Sequence, residues 1–221
     1  MVRYSEFLFL ISLVFLSGIP GESFAESGKN ILLEKLQRKI ISPDMRQQAE
    51  LAGKERALIC SYCHGMDGNS IKPEVPNLAG QNPGYLLQQI GHFVSGVRKD
   101  YVMNSLASKF SEDDQINLAI YYSRKKVKPE AYDQKLAQQG RSLYRQACQA
   151  CHGKNGMGNT GYARLAGQKQ AYIKKTLLRF RSNALTITAS KKRSSPVMEP
   201  IASRLSDDDI QYLASYIASM R

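Results

Sequence analysis

Every cysteine of the chain lies in one of two six-residue stretches, CSYCHG at residues 60–65 and CQACHG at residues 148–153. Each is C-x-x-C followed at once by histidine, so the pair uses four cysteines and two of the three histidines. Two C-x-x-C pairs alone suit two redox disulfides or one four-cysteine zinc site, but neither chemistry calls for the histidine. C-x-x-C-H is the attachment sequence of c-type haem. Cysteines three apart share one face of a helical turn, so both sulfurs reach the vinyl groups on one porphyrin edge, and the next residue lies under the iron. Imidazole binds the metal through one ring nitrogen while the other donates a hydrogen bond that fixes the ring. The spacing predicts two covalently bound haem c groups, attached at Cys60, Cys63, Cys148 and Cys151, with His64 and His152 as iron ligands.

The similarity extends beyond these motifs. NLAGQNPGY, from Asn77, aligns with RLAGQKQAY, from Arg164, and VMNSLASKFSEDD, from Val102, aligns with VMEPIASRLSDDD, from Val197. The chain is a duplication. The offset between copies is 88 at the cysteines, 87 at Leu78 and Leu165, and 95 at Met103 and Met198, so the second copy has gained eight residues within SNALTITASKKRSSPVM. Met103 and Met198 stand 39 and 46 residues after their histidines, at equivalent places. A lone methionine is ordinarily core packing. Equivalence beside two haem motifs makes these two the sixth ligands. Met66 and Met157 follow their histidines too closely to cross to the other haem face, and Met45 and Met220 have no counterpart. His92 is the competing ligand, in LLQQIGHFVSG, but the repeat pairs it with Arg179, a charged position.

The elements that must hold these residues read as helices. Ser111 with Asp114, and Ser206 with Asp209, are capping boxes opening QINLAIYYS and IQYLASYIAS, whose apolar residues recur at helical spacing. A helix runs into each haem motif and another follows each LAGQ, while strand-like alternation is scarce. Each half is an all-α domain of about 85 residues, small for an unaided core but able to wrap its apolar side chains round a haem.

The chain opens with Arg3, an apolar run at residues 7–16, and small residues at Ser23 and Ala25, the pattern of a secretory signal peptide cut after Ala25. The run falls well short of the roughly 20 residues of a membrane span. The expected organisation is a signal peptide at residues 1–25, an N-terminal extension at 26–48, a first domain at 49–128, a linker at 129–134 and a second domain at 135–221. The extension has no counterpart in the repeat. It reads either as a short amphipathic basic helix that packs on the body or binds a partner, or as a solvated arm.

Charge is uneven. Residues 26–130 carry 15 basic and 12 acidic side chains, residues 131–221 carry 15 and 5. A concentrated positive field speeds encounter with acidic surfaces and weakens with salt. The expected contact is an acidic partner protein or an anionic membrane surface meeting the second domain near KKR at residues 191–193, with general solubility as the plainer reading. Nucleic acid is a poor partner for an exported haem protein.

With C-x-x-C-H-G, LAGQ, and V-M followed by an S-x-D-D helix each present twice, residues 49–221 resemble the cytochrome c4 family. The resemblance implies two tandem class I cytochrome c domains, each wrapped round a covalent haem, in the bacterial periplasm. It implies Cys60, Cys63, His64 and Met103 for one haem and Cys148, Cys151, His152 and Met198 for the other. It also implies a backbone carbonyl before LAGQ that receives the histidine's hydrogen bond. Pro76 suits that place; the second half has Ala163 there, a carbonyl without the rigid ring. Methionine opposite histidine leaves no coordination place for a small-molecule substrate and raises the potential. The expected function is one-electron transfer between a respiratory donor and a terminal oxidase or other acceptor, not catalysis. The rivals are the haem subunit of a larger dehydrogenase and a di-haem redox enzyme with one displaceable ligand.

Overall fold

The computed structural model describes residues 24–184 and 193–221. The signal peptide expected at residues 1–25 lies almost wholly outside them, as do Lys191 and Lys192. Among the described residues there are eleven helices and no strand, apart from one isolated antiparallel bridge between Arg98 and Arg193. None of these helices is long and apolar enough to cross a membrane.

The first half contains α1 (Phe24–Ile41), α2 (Pro43–Arg56), α3 (Leu58–His64), α4 (Pro83–Val94), α5 (Tyr101–Ala107) and α6 (Glu112–Ser123). The second contains α7 (Gln134–Ala147), α8 (Gln149–His152), α9 (Gln170–Ala184), α10 (Met198–Ala202) and α11 (Asp207–Ser219). Both capping boxes form: Ser111 and Ser206 accept from the N–H of Asp114 and Asp209, and each carboxylate accepts from the serine N–H in return. The helix before each haem motif crosses the last helix of its half at a glycine. A Cβ on Gly53 would lie 2.3 Å from Asn117 O, and one on Gly140 would lie 2.2 Å from Tyr212 O. Only glycine permits these backbones to meet.

Two apolar cores result. One includes Leu86, Phe93, Ile116 and Ile120, with Cys60 and Met103 packed against it. The other includes Tyr144, Ile173, Leu213 and Ile217, with Cys148 and Met198 packed against it. The question left open for the N-terminal extension is settled in favour of packing. Leu36 of α1 is fully buried in the first core, Leu32, Leu33 and Ile40 pack beside it, and Lys35 and Lys39 reach Glu112 and Asp113 at 2.6 and 2.7 Å. Burying a leucine of this kind contributes about 1.5–3 kcal/mol, more than either exposed ion pair.

The halves meet through reciprocal contacts of equivalent residues, and the LAGQ glutamines lock them. Gln81 Oε1 accepts from Arg164 N at 2.6 Å, while its Nε2 donates to Arg164 O at 2.9 Å. Gln168 repeats this on Asn77, Oε1 accepting from the N–H at 2.8 Å and Nε2 donating to the carbonyl at 3.0 Å. Each side-chain amide thus satisfies both the buried N–H and the buried carbonyl of one residue of the other half.

Candidate haem-binding sites

The helical turn of α3 carries Cys60, Cys63 and His64, and Cys148, α8 and its flanking residues present the second set. The four cysteines are unpaired thiols, one pair in each half. Among the described residues no three histidine, cysteine or acidic side chains gather into a metal cluster, so the four-cysteine zinc arrangement is not assembled. Burial pushes the thiols of Cys60 and Cys148 up, Cys148 to about 11, which keeps them protonated at neutral pH.

The histidines are fixed in the same way twice. His64 Nδ1 lies 3.0 Å from the carbonyl oxygen of Pro76, and His152 Nδ1 lies 2.8 Å from that of Ala163. A carbonyl only accepts, so Nδ1 carries the hydrogen and Nε2 keeps its lone pair. The missing proline ring in the second half does not cost the contact. Burial pulls both imidazole pKa values below the ordinary value, against the opposing effect of these carbonyls, so both rings are neutral at pH 7.

Met103 and Met198 are placed by equivalent local contacts. Asp100 Oδ1 accepts from Met103 N at 3.2 Å, and Ser195 Oγ accepts from Met198 N at 3.1 Å. Asn104 ties the preceding loop, donating to Phe93 O and Arg98 O at 2.6 and 2.9 Å; Glu199, its counterpart, accepts from Ser194 Oγ and Ser195 N at 2.9 and 3.1 Å. Both methionines are part-buried in the core that also holds a cysteine of the same half. His92 stands in the last turn of α4, its carbonyl accepting from Arg98 N.

This donor set fits a covalent haem: two thiols on one turn, a neutral imidazole with its lone pair available, and a thioether in the same core. The surroundings agree. Tyr62, Met66, Val97 and Val102 in the first half, and Met157 and Val197 in the second, stand exposed on the segments that carry or flank these donors. Such apolar surface is what a flat apolar group would cover.

Two features escaped the sequence reading. The LAGQ glutamines serve the seam rather than the haem. Arg193, expected near a partner contact, instead sends its guanidinium inward, NH1 to Tyr172 Oη at 2.9 Å and NH2 to Tyr85 Oη at 2.7 Å. A basic triplet is ordinarily solvated, and nothing in its local composition marks one member for an interface. The alignment of Arg193 with Arg98, and of Tyr172 with Tyr85, was the available signal.

Comparison with known proteins agrees with this architecture. The family model described as Cytochrome c matches residues 137–221. Cytochrome c4 of Azotobacter vinelandii is 37% identical over 188 residues, covering 76% of this chain and 88% of that one. A protein named thiosulfate dehydrogenase electron acceptor, from Stutzerimonas stutzeri (strain A1501), is 30% identical over 179 residues, covering 74% of this chain and 80% of that one. The crystal structure of reduced recombinant cytochrome c4 from Pseudomonas stutzeri superposes with a TM-score of 0.69 at 35% identity, over 77% of this chain and 97% of that one. With the repeated donor set, the two helical halves and these similarities in hand, the chain belongs to the cytochrome c4 family.

Proposed function

We propose that this chain is a periplasmic carrier of electrons with two covalent haem c groups, one in each of the domains at residues 49–128 and 135–221. Cys60 and Cys63 would tether the first haem and Cys148 and Cys151 the second, by thioethers. His64 with Met103, and His152 with Met198, would hold the two irons. Bound haem supplies a one-electron couple that the side chains of this protein lack. The chain's part is to hold the imidazoles neutral and oriented through Pro76 O and Ala163 O, to set the methionines, and to exclude water with the two cores.

The observation that carries this reading is the same imidazole-to-carbonyl bond, at 3.0 and 2.8 Å, in two halves whose cores each hold a methionine and a motif cysteine. Replacing Met103 and Met198 one at a time tests it. Each variant is expected to lose about half of the methionine-to-iron charge-transfer absorption of the oxidised protein. An unchanged spectrum for Met198→Ala would give the second haem another ligand or an open place, in favour of the enzyme reading.

For partners, the reading is an acidic redox protein. Residues 131–221 hold the larger basic excess, and Lys174, Lys175, Arg179 and Arg181 line an open groove along α9 beside the half-exposed Leu178. Glu74 lines the same groove and pairs with Lys175, and Lys191 and Lys192 of the KKR triplet lie outside the described residues. A second reading, service to a dehydrogenase in a stable complex, is favoured by the relative named thiosulfate dehydrogenase electron acceptor. Recovery as a lone protein, with transfer rates that fall as salt rises, supports the free carrier; co-purification with a catalytic chain supports the complex.

A further inference from the structure

The glutamines that close the seam are also joined to the two imidazoles, each to the one in the opposite half. His64 Nδ1 donates to Pro76 O at 3.0 Å and His152 Nδ1 to Ala163 O at 2.8 Å. The carbonyl of Pro76 and the N–H of Asn77 belong to one peptide unit, and so do the carbonyl of Ala163 and the N–H of Arg164. Those two N–H groups are the ones that donate across the seam, Asn77 N to Gln168 Oε1 at 2.8 Å and Arg164 N to Gln81 Oε1 at 2.6 Å. An unbroken line of hydrogen bonds therefore runs from His64 through one peptide unit to Gln168, and from His152 through one peptide unit to Gln81.

Every polarity along these lines is fixed. Backbone N–H only donates and a carbonyl only accepts. Gln81 Oε1 takes a second N–H, from Asn82 at 3.0 Å, and Gln168 Oε1 takes that of Lys169 at 2.9 Å. Each Nε2 donates to the carbonyl of the residue it clasps, at 2.9 and 3.0 Å, so turning either amide over would break all the bonds it makes here. His64, His152, Asn77, Arg164, Gln81 and Gln168 are each no more than 8% exposed, which keeps these bonds out of competition with bulk water.

A peptide unit whose N–H is taken by an acceptor carries more electron density on its own oxygen, and hydrogen bonds in a row strengthen one another in this way. A stronger acceptor at Nδ1 makes an imidazole a more basic metal ligand through Nε2. We propose that Gln81 and Gln168 are positioning residues that act in trans: each glutamine strengthens the Nδ1 hydrogen bond of the other half's histidine through a single peptide unit, and so sets that ligand's donor strength. Gln81 of the first half governs His152, and Gln168 of the second governs His64. A glutamine that merely held the halves together would show no such crossed dependence.

This inference rests on the reading of His64 and His152 as iron ligands in a two-haem protein, and the test separates the two. Intact mass and haem absorbance of the purified holoprotein give the number of haems per chain. Nuclear magnetic resonance of the reduced, nitrogen-15-labelled holoprotein follows the Nδ1–H of each histidine, and redox titration gives the two midpoints, assigned to their halves from spectra at partial reduction. Gln81→Met keeps the length of the side chain and removes the acceptor. A less basic imidazole favours the reduced state, so this variant is expected to move the His152 Nδ1–H upfield and the second midpoint up, with His64 and the first midpoint in place. Gln168→Met is expected to do the reverse. Should a methionine variant fail to assemble, Gln81→Glu and Gln168→Glu decide: a carboxylate oxygen accepts more strongly than an amide oxygen, so each is expected to move the same crossed proton downfield. A shift at the histidine of the glutamine's own half, equal shifts at both, or none overturns the inference. A wild-type count other than two haems overturns the reading beneath it, whatever the variants do.

Discussion

Asp100 and Ser195 differ in chemistry but occupy the same place in the repeat, each with a side-chain oxygen on the N–H of the methionine three residues on. Such a bond orders the backbone that presents the thioether. Removing a side-chain cap costs about 1 kcal/mol. Asp100→Ala and Ser195→Ala are each expected to lower stability by that amount and to weaken the charge-transfer band of the affected haem, measured by denaturant titration and visible absorption. A band at full strength in both would mean that the cores alone hold the methionines. The equivalent placement of the two methionines was legible from spacing. Their caps were not, because aspartate and serine share only a hydrogen-bond role, and that role appears once the turn is built.

Helix α1 joins the first core through Leu36 and the start of α6 through Lys35 and Lys39. Leu36→Ala is expected to cost about 2–5 kcal/mol, with the loss confined to the first half. The ion pairs add a pH dependence. The hydrogen bond and charge of Lys39 hold the Asp113 carboxyl below its usual value. A lowered folded pKa means that this contribution is complete above the unfolded value near ~3.9 and is lost as pH falls through the folded one. Amide hydrogen exchange in α1 should quicken relative to α6 as pH drops below about 4, and Asp113→Asn should remove much of that acceleration. Capping boxes made α6 and α11 readable from a few adjacent residues. The placement of α1 was undecidable locally, since its acidic partners lie 74 and 77 residues away and the second copy has no counterpart to compare.

For the molecule as a whole, the clasp of Gln81 and Gln168 is the most symmetric of the contacts that join the two halves. Gln81→Ala strands the buried N–H and carbonyl of Arg164, and Gln168→Ala those of Asn77, each at about 1–3 kcal/mol. Because the two bonds close the same seam, the pair is expected to be non-additive. Calorimetry of the double variant should resolve two transitions, one for each half, where the parent gives one; a single transition in the double variant would show that the tyrosine and arginine contacts suffice. The architecture of two helical halves was legible because duplication prints each signal twice. The seam was not, because the partner of each LAGQ lies in the other copy, 83 or 91 residues distant, and a search within one repeat has nothing to find.

The equivalent positions Asn77 and Arg164 show what fusion permits. Asn77 sends its amide to Gly167 O and Glu130, while Arg164 sends its guanidinium to Ala79 O and Ala166 O. In a dimer of identical chains every substitution at a two-fold contact occurs twice, so its two sides cannot differ. One covalent chain removes that restriction. Selection can act on one side of the seam at a time, and a joint that began with two equal sides acquires a direction.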